Sequence, residues 1–181
     1  MAPSGKFDLA RGDSHLSGTL LDGRLEGPLR IEDSDRPQAS LTYRRGELEG
    51  PLVLYHPNGK PAAQMVYAQG RLHGIATFHA PEGWLQRKAG YRQGQLHGEA
   101  INYFADGSPA EVEHYRDGVR EGPYRRFHAN GRLALSAQYR QGRLLEPARM
   151  YAADGRPLDE QGKPLSRLSW WWRRWTEPDE A

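Results

Sequence analysis

The sequence predicts an all-β protein: a single-layer, twisted antiparallel sheet of stacked β-hairpins, followed by a short C-terminal helix. Three observations carry this. A phrase of the form Gly-x-Leu-x-Gly opens at Gly23 and returns at Gly46, Gly70, Gly94, Gly118 and, decayed, at Gly142; the first interval is 23 residues and the next four are 24. An acidic or Asn residue followed by glycine sits at a fixed offset from each of the last five phrases, at Asn58-Gly59, Glu82-Gly83, Asp106-Gly107, Asn130-Gly131 and Asp154-Gly155. A tyrosine precedes each return of the phrase, at Tyr43, Tyr67, Tyr91, Tyr115 and Tyr139. A fixed period of this length marks one supersecondary unit stacked along the chain, each unit packing on its neighbours.

Taken in order, residues 1–22 read as a cap, with Phe7, Leu9, Leu16, Thr19 and Leu20 as strand positions that blunt the open edge of the array. Residues 23–157 are the hairpin array. Asn-Gly and Asp-Gly are preferred fillers of two-residue hairpin turns, because both central residues need positive φ. Counting each unit from its first glycine as position 0, such a turn at positions 12 and 13 pairs positions that sum to 25. Position 21, the recurring tyrosine, then faces position 4, which is Gly27, Gly50, Gly74, Gly98 and Gly122. The expectation is a ring lying over a residue without a side chain, so that Gly98→Val would place a side chain in the space of Tyr115. The same arithmetic sets Tyr55, Tyr103 and Phe127 at position 9 opposite Ala62, Ala110 and Ala134. Positions 4 and 9 differ in parity, which puts the two aromatic ladders on opposite faces unless a bulge intervenes. Gln-Gly or Asp-Gly pairs at 69–70, 93–94, 117–118 and 141–142 link successive hairpins. About ten to twelve strands, roughly 50 Å of sheet, are expected.

Beyond Leu158 the 24-residue pattern stops, and residues 158–181 form a Trp/Arg-rich capping segment and tail. Within it Leu165, Leu168, Trp171 or Trp172, and Trp175 fall on one helical face.

Composition narrows the function classes. With 25 basic and 23 acidic side chains the net charge is +2, which argues against a nucleic-acid partner held by phosphate neutralisation. The absence of cysteine excludes disulfides, thiolate metal sites and cysteine nucleophiles. The amino terminus holds no apolar leader segment, so the expected location is cytoplasmic, or periplasmic if a leader lies outside this sequence. His73 and His97 share a repeat position and should stand two strands, roughly 10 Å, apart, too far to share a metal ion. No nucleophile elbow, phosphate loop or zinc-binding helix motif occurs, and neither a cofactor nor a metal is expected.

The phrases Gly46-Glu-Leu-Glu-Gly-Pro-Leu-Val-Leu-Tyr-His-Pro-Asn-Gly59 and Gly118-Val-Arg-Glu-Gly-Pro-Tyr-Arg-Arg-Phe-His-Ala-Asn-Gly131 resemble the MORN-repeat variant found in bacterial antitoxin-component proteins, over roughly residues 23–157. The resemblance implies stacked hairpins, no catalytic centre and, for many bacterial members, a role as antitoxin or immunity protein against a cognate protein toxin. Related repeats elsewhere are implicated in lipid or membrane attachment and in scaffolding, which makes a membrane-associated adaptor the alternative.

Candidate partner-binding residues follow from composition and register. The fifth unit concentrates Arg116, Arg120, Arg125, Arg126 and Arg140 around Tyr124 and Phe127, with His128 beside them. Arginine and aromatic residues together are the composition of interface hot spots. Tyr103 and Tyr151 share the ladder of Phe127, and Trp171, Trp172 and Trp175 offer anchors for a partner or, with Arg167, Arg173 and Arg174, for a membrane surface. The stripe Glu26, Glu49 and Glu121 at position 3 is read as a solvated strand edge or a polar rim for a partner.

Overall fold

A computed structural model describes residues 2–170, and Trp171, Trp172 and Trp175 lie outside the described residues. It contains eighteen strand segments in one antiparallel sheet. Five of them are two-residue pieces that run on into the next segment, as Arg71–Leu72 does into Gly74–His79, which leaves thirteen rows. Each row pairs with the one before and the one after, so the sheet is a meander. The count exceeds the sequence expectation because the cap is itself a full hairpin, β1 (Gly5–Arg11) on β2 (Ser14–Leu21). No described helix is long and apolar enough to cross a membrane.

The tyrosine–glycine register holds: Tyr43, Tyr67, Tyr91, Tyr115 and Tyr139 pair with Gly27, Gly50, Gly74, Gly98 and Gly122. Its cause differs from the one the sequence suggested. The two-residue turns with both residues at positive φ are the links between hairpins, such as Gln69 at 51° and Gly70 at 70°. The Asx-Gly segments close three-residue loops instead: His56 N–H donates to Lys60 O and Gly59 N–H to His56 O, both at 2.8 Å. Only the glycine is left-handed there. The Asx side chain accepts from the backbone N–H two residues on, as Asn58 does from Lys60 at 3.0 Å, and this explains its presence at negative φ. Even Glu82-Gly83 forms this loop, with Gly83 N–H donating to Ala80 O at 2.8 Å.

A three-residue loop shifts the pairing by one, and a bulge shifts it back. Tyr55 therefore pairs with Pro61, Tyr103 with Pro109 and Phe127 with Leu133, not with the alanines expected. Ala62, Ala110 and Ala134 are the extra residues of the bulges. The first unit is one residue shorter because its loop is a two-residue turn, Ser34 and Asp35 at φ 51° and 57° between paired Asp33 and Arg36.

Ring-over-glycine packing is also reassigned. Gly98 has φ +83°, and a Cβ built there meets nothing within 4 Å, so backbone conformation and not the Tyr115 ring requires the glycine. The expected packing occurs instead in the cap, where a Cβ on Gly18 would stand 2.9 Å from Phe7 Cζ and 2.8 Å from Leu29 Cδ1.

Two hydrogen-bond ladders lock the units along both sheet margins. At one margin each linking turn bonds to the preceding unit: Gly70 N–H to Leu48 O at 2.9 Å, and Gly94 N–H to Leu72 O and Gly118 N–H to Leu96 O at 2.8 Å. The position-3 glutamates belong to this ladder. Glu26, Glu49 and Glu121 accept the backbone N–H of Arg45, Gln69 and Gln141, each at 2.6 Å, so the stripe read as a solvated edge or partner rim caps its own turns. At the other margin His56 Nε2–H and His128 Nε2–H donate to the carbonyls of His79 and Tyr151 at 2.8 Å, tying these two loops to the next unit. Past the last full unit the loop geometry recurs once, with Asp159 N–H donating to Lys163 O at 2.9 Å. A helical turn begins at Arg167.

Candidate functional site

Alternation along the strands gives the sheet a face carrying the tyrosine ladder and a reverse face. On the tyrosine face one row runs the length of the array, through the pairs Leu29–Leu41, Leu52–Met65, Ala76–Ala89, Ala89–Ala100, Ala100–Glu113 and Tyr124–Ala137. Its members include most of the buried residues among those described: Leu29, Leu52, Ala76, Ala89 and Ala100. In the fourth unit this apolar row meets a carboxylate, Glu113, only 4% exposed.

Around Glu113 the recurring Tyr115 and Tyr139 meet residues that replace what other units carry at the same position. Arg120 stands where the phrase has Leu48, Leu72, Leu96 and Leu144, opposite Tyr115. Arg120 Nη2–H donates to Glu113 Oε1 at 2.6 Å and Tyr115 OH donates to the same oxygen at 3.1 Å. Arg87 Nη2 lies 3.8 Å from Glu113 Oε2, and its Nη1–H donates to Asn102 Oδ1 at 2.9 Å. Asn102 Nδ2–H donates to Glu111 Oε2 at 2.6 Å, and Tyr124 OH donates to Glu111 Oε1. The guanidinium of Arg120 lies 5.3 Å from the Tyr124 ring centre and 5.4 Å from that of Tyr139, and the two rings meet edge to face at 6.0 Å. Buried carboxylates are tolerated when paired and hydrogen-bonded, as Glu113 is; Glu111 is half-buried and is hydrogen-bonded by Asn102 and Tyr124.

The electrostatics follow from these contacts. Bonding to Tyr115 and then Glu113 holds Arg120 more firmly protonated than usual. Burial first, and then the bond to Glu111, push the Tyr124 phenol above its ordinary pKa. Both groups keep one protonation state across the physiological range. The cluster is thus a braced platform of tyrosine rings and a stacked guanidinium.

The sequence-predicted candidates divide across the sheet. Tyr124 and Arg126 lie on the tyrosine face, Arg126 exposed and paired with Glu111. Arg125 is exposed on the reverse face with Phe127, since consecutive strand residues point oppositely. Tyr103 and Tyr151 occupy the same position as Phe127, at the loop margin; all three are half-buried. His128 is held by the Tyr151 carbonyl and acts as a fastener between units. Arg132, Asp154, Arg156, Arg167, Leu168 and Trp170 line a cleft beside the C-terminal turn. Its Arg156 is committed to Asp154 Oδ2 at 2.7 Å and Leu165 O at 2.9 Å. Sequence reasoning missed Arg87, Asn102, Glu111 and Glu113. The signal was present as departures from the repeat at tyrosine-face positions, legible once the register is drawn. Among the described residues no three His, Asp or Glu side chains converge as metal ligands would.

These features define a class: an open repeat sheet whose tyrosine face is reshaped locally by departures from the repeat. Two stretches of the array, residues 48–69 and 96–117, match the family model described as "MORN repeat variant". No curated protein matches the sequence. Among solved structures, a mutant of S. aureus TarM, crystallised with fondaparinux, alpha-GlcNAc-glycerol and UDP, aligns at 6% identity over 78% of this chain and 21% of that one. Its TM-score of 0.23 carries no argument.

Proposed function

We propose that this protein is a non-enzymatic binding protein that neutralises a cognate protein toxin by covering it with the tyrosine face. The observation supporting this reading is the Tyr115–Arg120–Tyr124–Tyr139 platform, fixed from beneath by the buried Glu113. Aromatic and arginine side chains held in place before contact lose little conformational entropy on binding, the condition for tight occlusion of another protein's surface. The toxin as partner rests on the resemblance of the repeat phrases to antitoxin components.

The test is capture from the native organism with the full chain as bait, followed by reversal of one charge on each face. Arg126→Glu should weaken the captured complex tenfold or more, about 1.4 kcal/mol, while Arg125→Glu leaves it within a factor of two. Equal effects of both substitutions, or none, would remove the tyrosine face from the reading. The alternative, a membrane- or lipid-associated adaptor, draws on the Arg167, Trp170, Trp171, Trp172, Arg173, Arg174 and Trp175 composition. Co-sedimentation with anionic vesicles that disappears on deleting residues 165–175 would favour it.

A further inference from the structure

We propose that two copies of this chain join edge to edge through β1, extending the sheet across a two-fold axis at Phe7. The two ends of the sheet are finished differently. At the C-terminal end the chain folds back over the last row, Leu158 N–H donating to Met150 O at 2.8 Å and Leu165 N–H to Pro157 O at 2.9 Å. At the other end β1 pairs with β2 in unbroken register over seven residues, and no described residue pairs with its outer side. Strand edges are ordinarily protected by charged side chains, a proline, a bulge or a covering loop. Of these β1 has only charges between Gly5 and Arg11, namely Lys6, Asp8 and Arg11, and they repel a second copy only in registers that set like signs opposite each other; Leu9 on the same strand is 60% exposed.

The backbone states which groups await a partner. The two-residue turn at Gly12 and Asp13 makes the flanking residues Arg11 and Ser14 a hydrogen-bonded pair, and alternation assigns Leu9–Leu16, Phe7–Gly18 and Gly5–Leu20 the same role. Odd-numbered residues on the β2 side point the other way: Thr19 O accepts from Glu26 N–H at 2.9 Å and Asp13 O from Ser34 N–H at 2.8 Å. The main-chain N–H and C=O groups of Lys6, Asp8 and Ala10 therefore point outward.

Antiparallel self-pairing must set outward residues opposite outward residues, which leaves few registers. Centring on Asp8 opposes two aspartates, and centring on Lys6 opposes two lysines. Centring on Leu9 puts Asp8 opposite Ala10. Centring on Phe7 puts Lys6 opposite Asp8 twice, as hydrogen-bonded pairs of opposite charge. The two Phe7 rings then meet in a non-hydrogen-bonded pair, where side chains approach most closely. Leu9 falls opposite Gly5 of the second copy, and a Cβ on Gly5 meets nothing within 4 Å, so that space is open to it. The tyrosine faces of both copies continue on the same side. This inference is independent of what the tyrosine face binds.

An edge of this size gives a weak dimer, with Kd on the order of 10–100 µM. Light scattering coupled to gel filtration of the full chain, across roughly 5 to 500 µM, should show the mass rising from 20.5 kDa toward twice that value. Lys6→Asp or Asp8→Lys alone sets like charges opposite each other twice and should weaken association about tenfold, and the combined swap should restore it. Asp8→Pro removes an outward N–H together with the carboxylate that lies 3.8 Å from His15 Nδ1, and leaves the β1–β2 backbone hydrogen bonds in place, so it should abolish association while the strand signal in circular dichroism is kept. A monomeric mass throughout, association indifferent to all three single substitutions, or failure of the double swap to recover would each overturn the proposal.

Discussion

Replacing Gly98 by alanine separates two reasons for a glycine opposite Tyr115. The residue has φ +83°, and a Cβ there meets no atom within 4 Å. Steric collision with the ring thus contributes nothing, and the cost is that of holding an L-residue in a left-handed conformation, about 1–2 kcal/mol. For a chain of this length that corresponds to a fall in Tm of roughly 2–8 °C. A double-mutant cycle with Tyr115→Ala isolates the cause. With backbone strain as the origin, the cost of Gly98→Ala is the same with and without the ring, and the coupling stays below about 0.5 kcal/mol. Urea unfolding of the four proteins, followed by circular dichroism at the strand band, supplies the free energies. Should Tyr115→Ala erase the penalty of Gly98→Ala, the ring would be the constraint and the conformational account would be wrong.

Gly90 offers the opposite case. Its φ is not in the left-handed region, but a Cβ would stand 2.3 Å from the His97 carbonyl oxygen, so Gly90→Ala must push adjacent strands apart. A loss of about 2–3 kcal/mol is expected from the urea midpoint, larger than that at Gly98. Glu113→Gln keeps the shape but removes the charge that anchors Arg120 and Arg87; about 1–3 kcal/mol of stability should go with it, read from the same unfolding curves. The Asp117 carboxyl is held below its usual pKa, chiefly by the hydrogen bond from Arg92 at 2.7 Å. A depressed folded-state pKa means that its contribution is complete above the unfolded value and is lost as pH falls through the folded one. An NMR titration should therefore find the Asp117 midpoint below about 3.9, and Arg92→Ala should raise it.

The architecture was legible because a repeat states its own register many times. Five tyrosine–glycine pairs, four at one offset and the first a residue closer in the shorter unit, leave a single antiparallel alignment that satisfies them all, and the structure keeps it. Turn type was less legible. Asn58-Gly59 and Gln69-Gly70 both end in glycine, and the difference between a three-residue and a two-residue loop lies in which carbonyl meets which N–H. The compensating bulge at Ala62 hid the error, since it restored the register that the assumed turn had required. At the candidate site, arginine density pointed to the fifth unit but could not tell Arg126 from Arg125. Glu113 looks, in one dimension, like any other charged residue in a polar chain.

What the sequence alone determined is the local and periodic part: strand length, turn placement, pairing of tyrosine with glycine, and the all-β class. These depend on interactions within one unit or between neighbours, which a 24-residue period repeats in full. The tertiary structure alone decided which departures from that period meet. Arg87, Asn102, Glu111, Glu113, Arg120 and Tyr124 belong to three successive units, and they form one network because adjacent strands lie about 4.8 Å apart and alternate residues share a face.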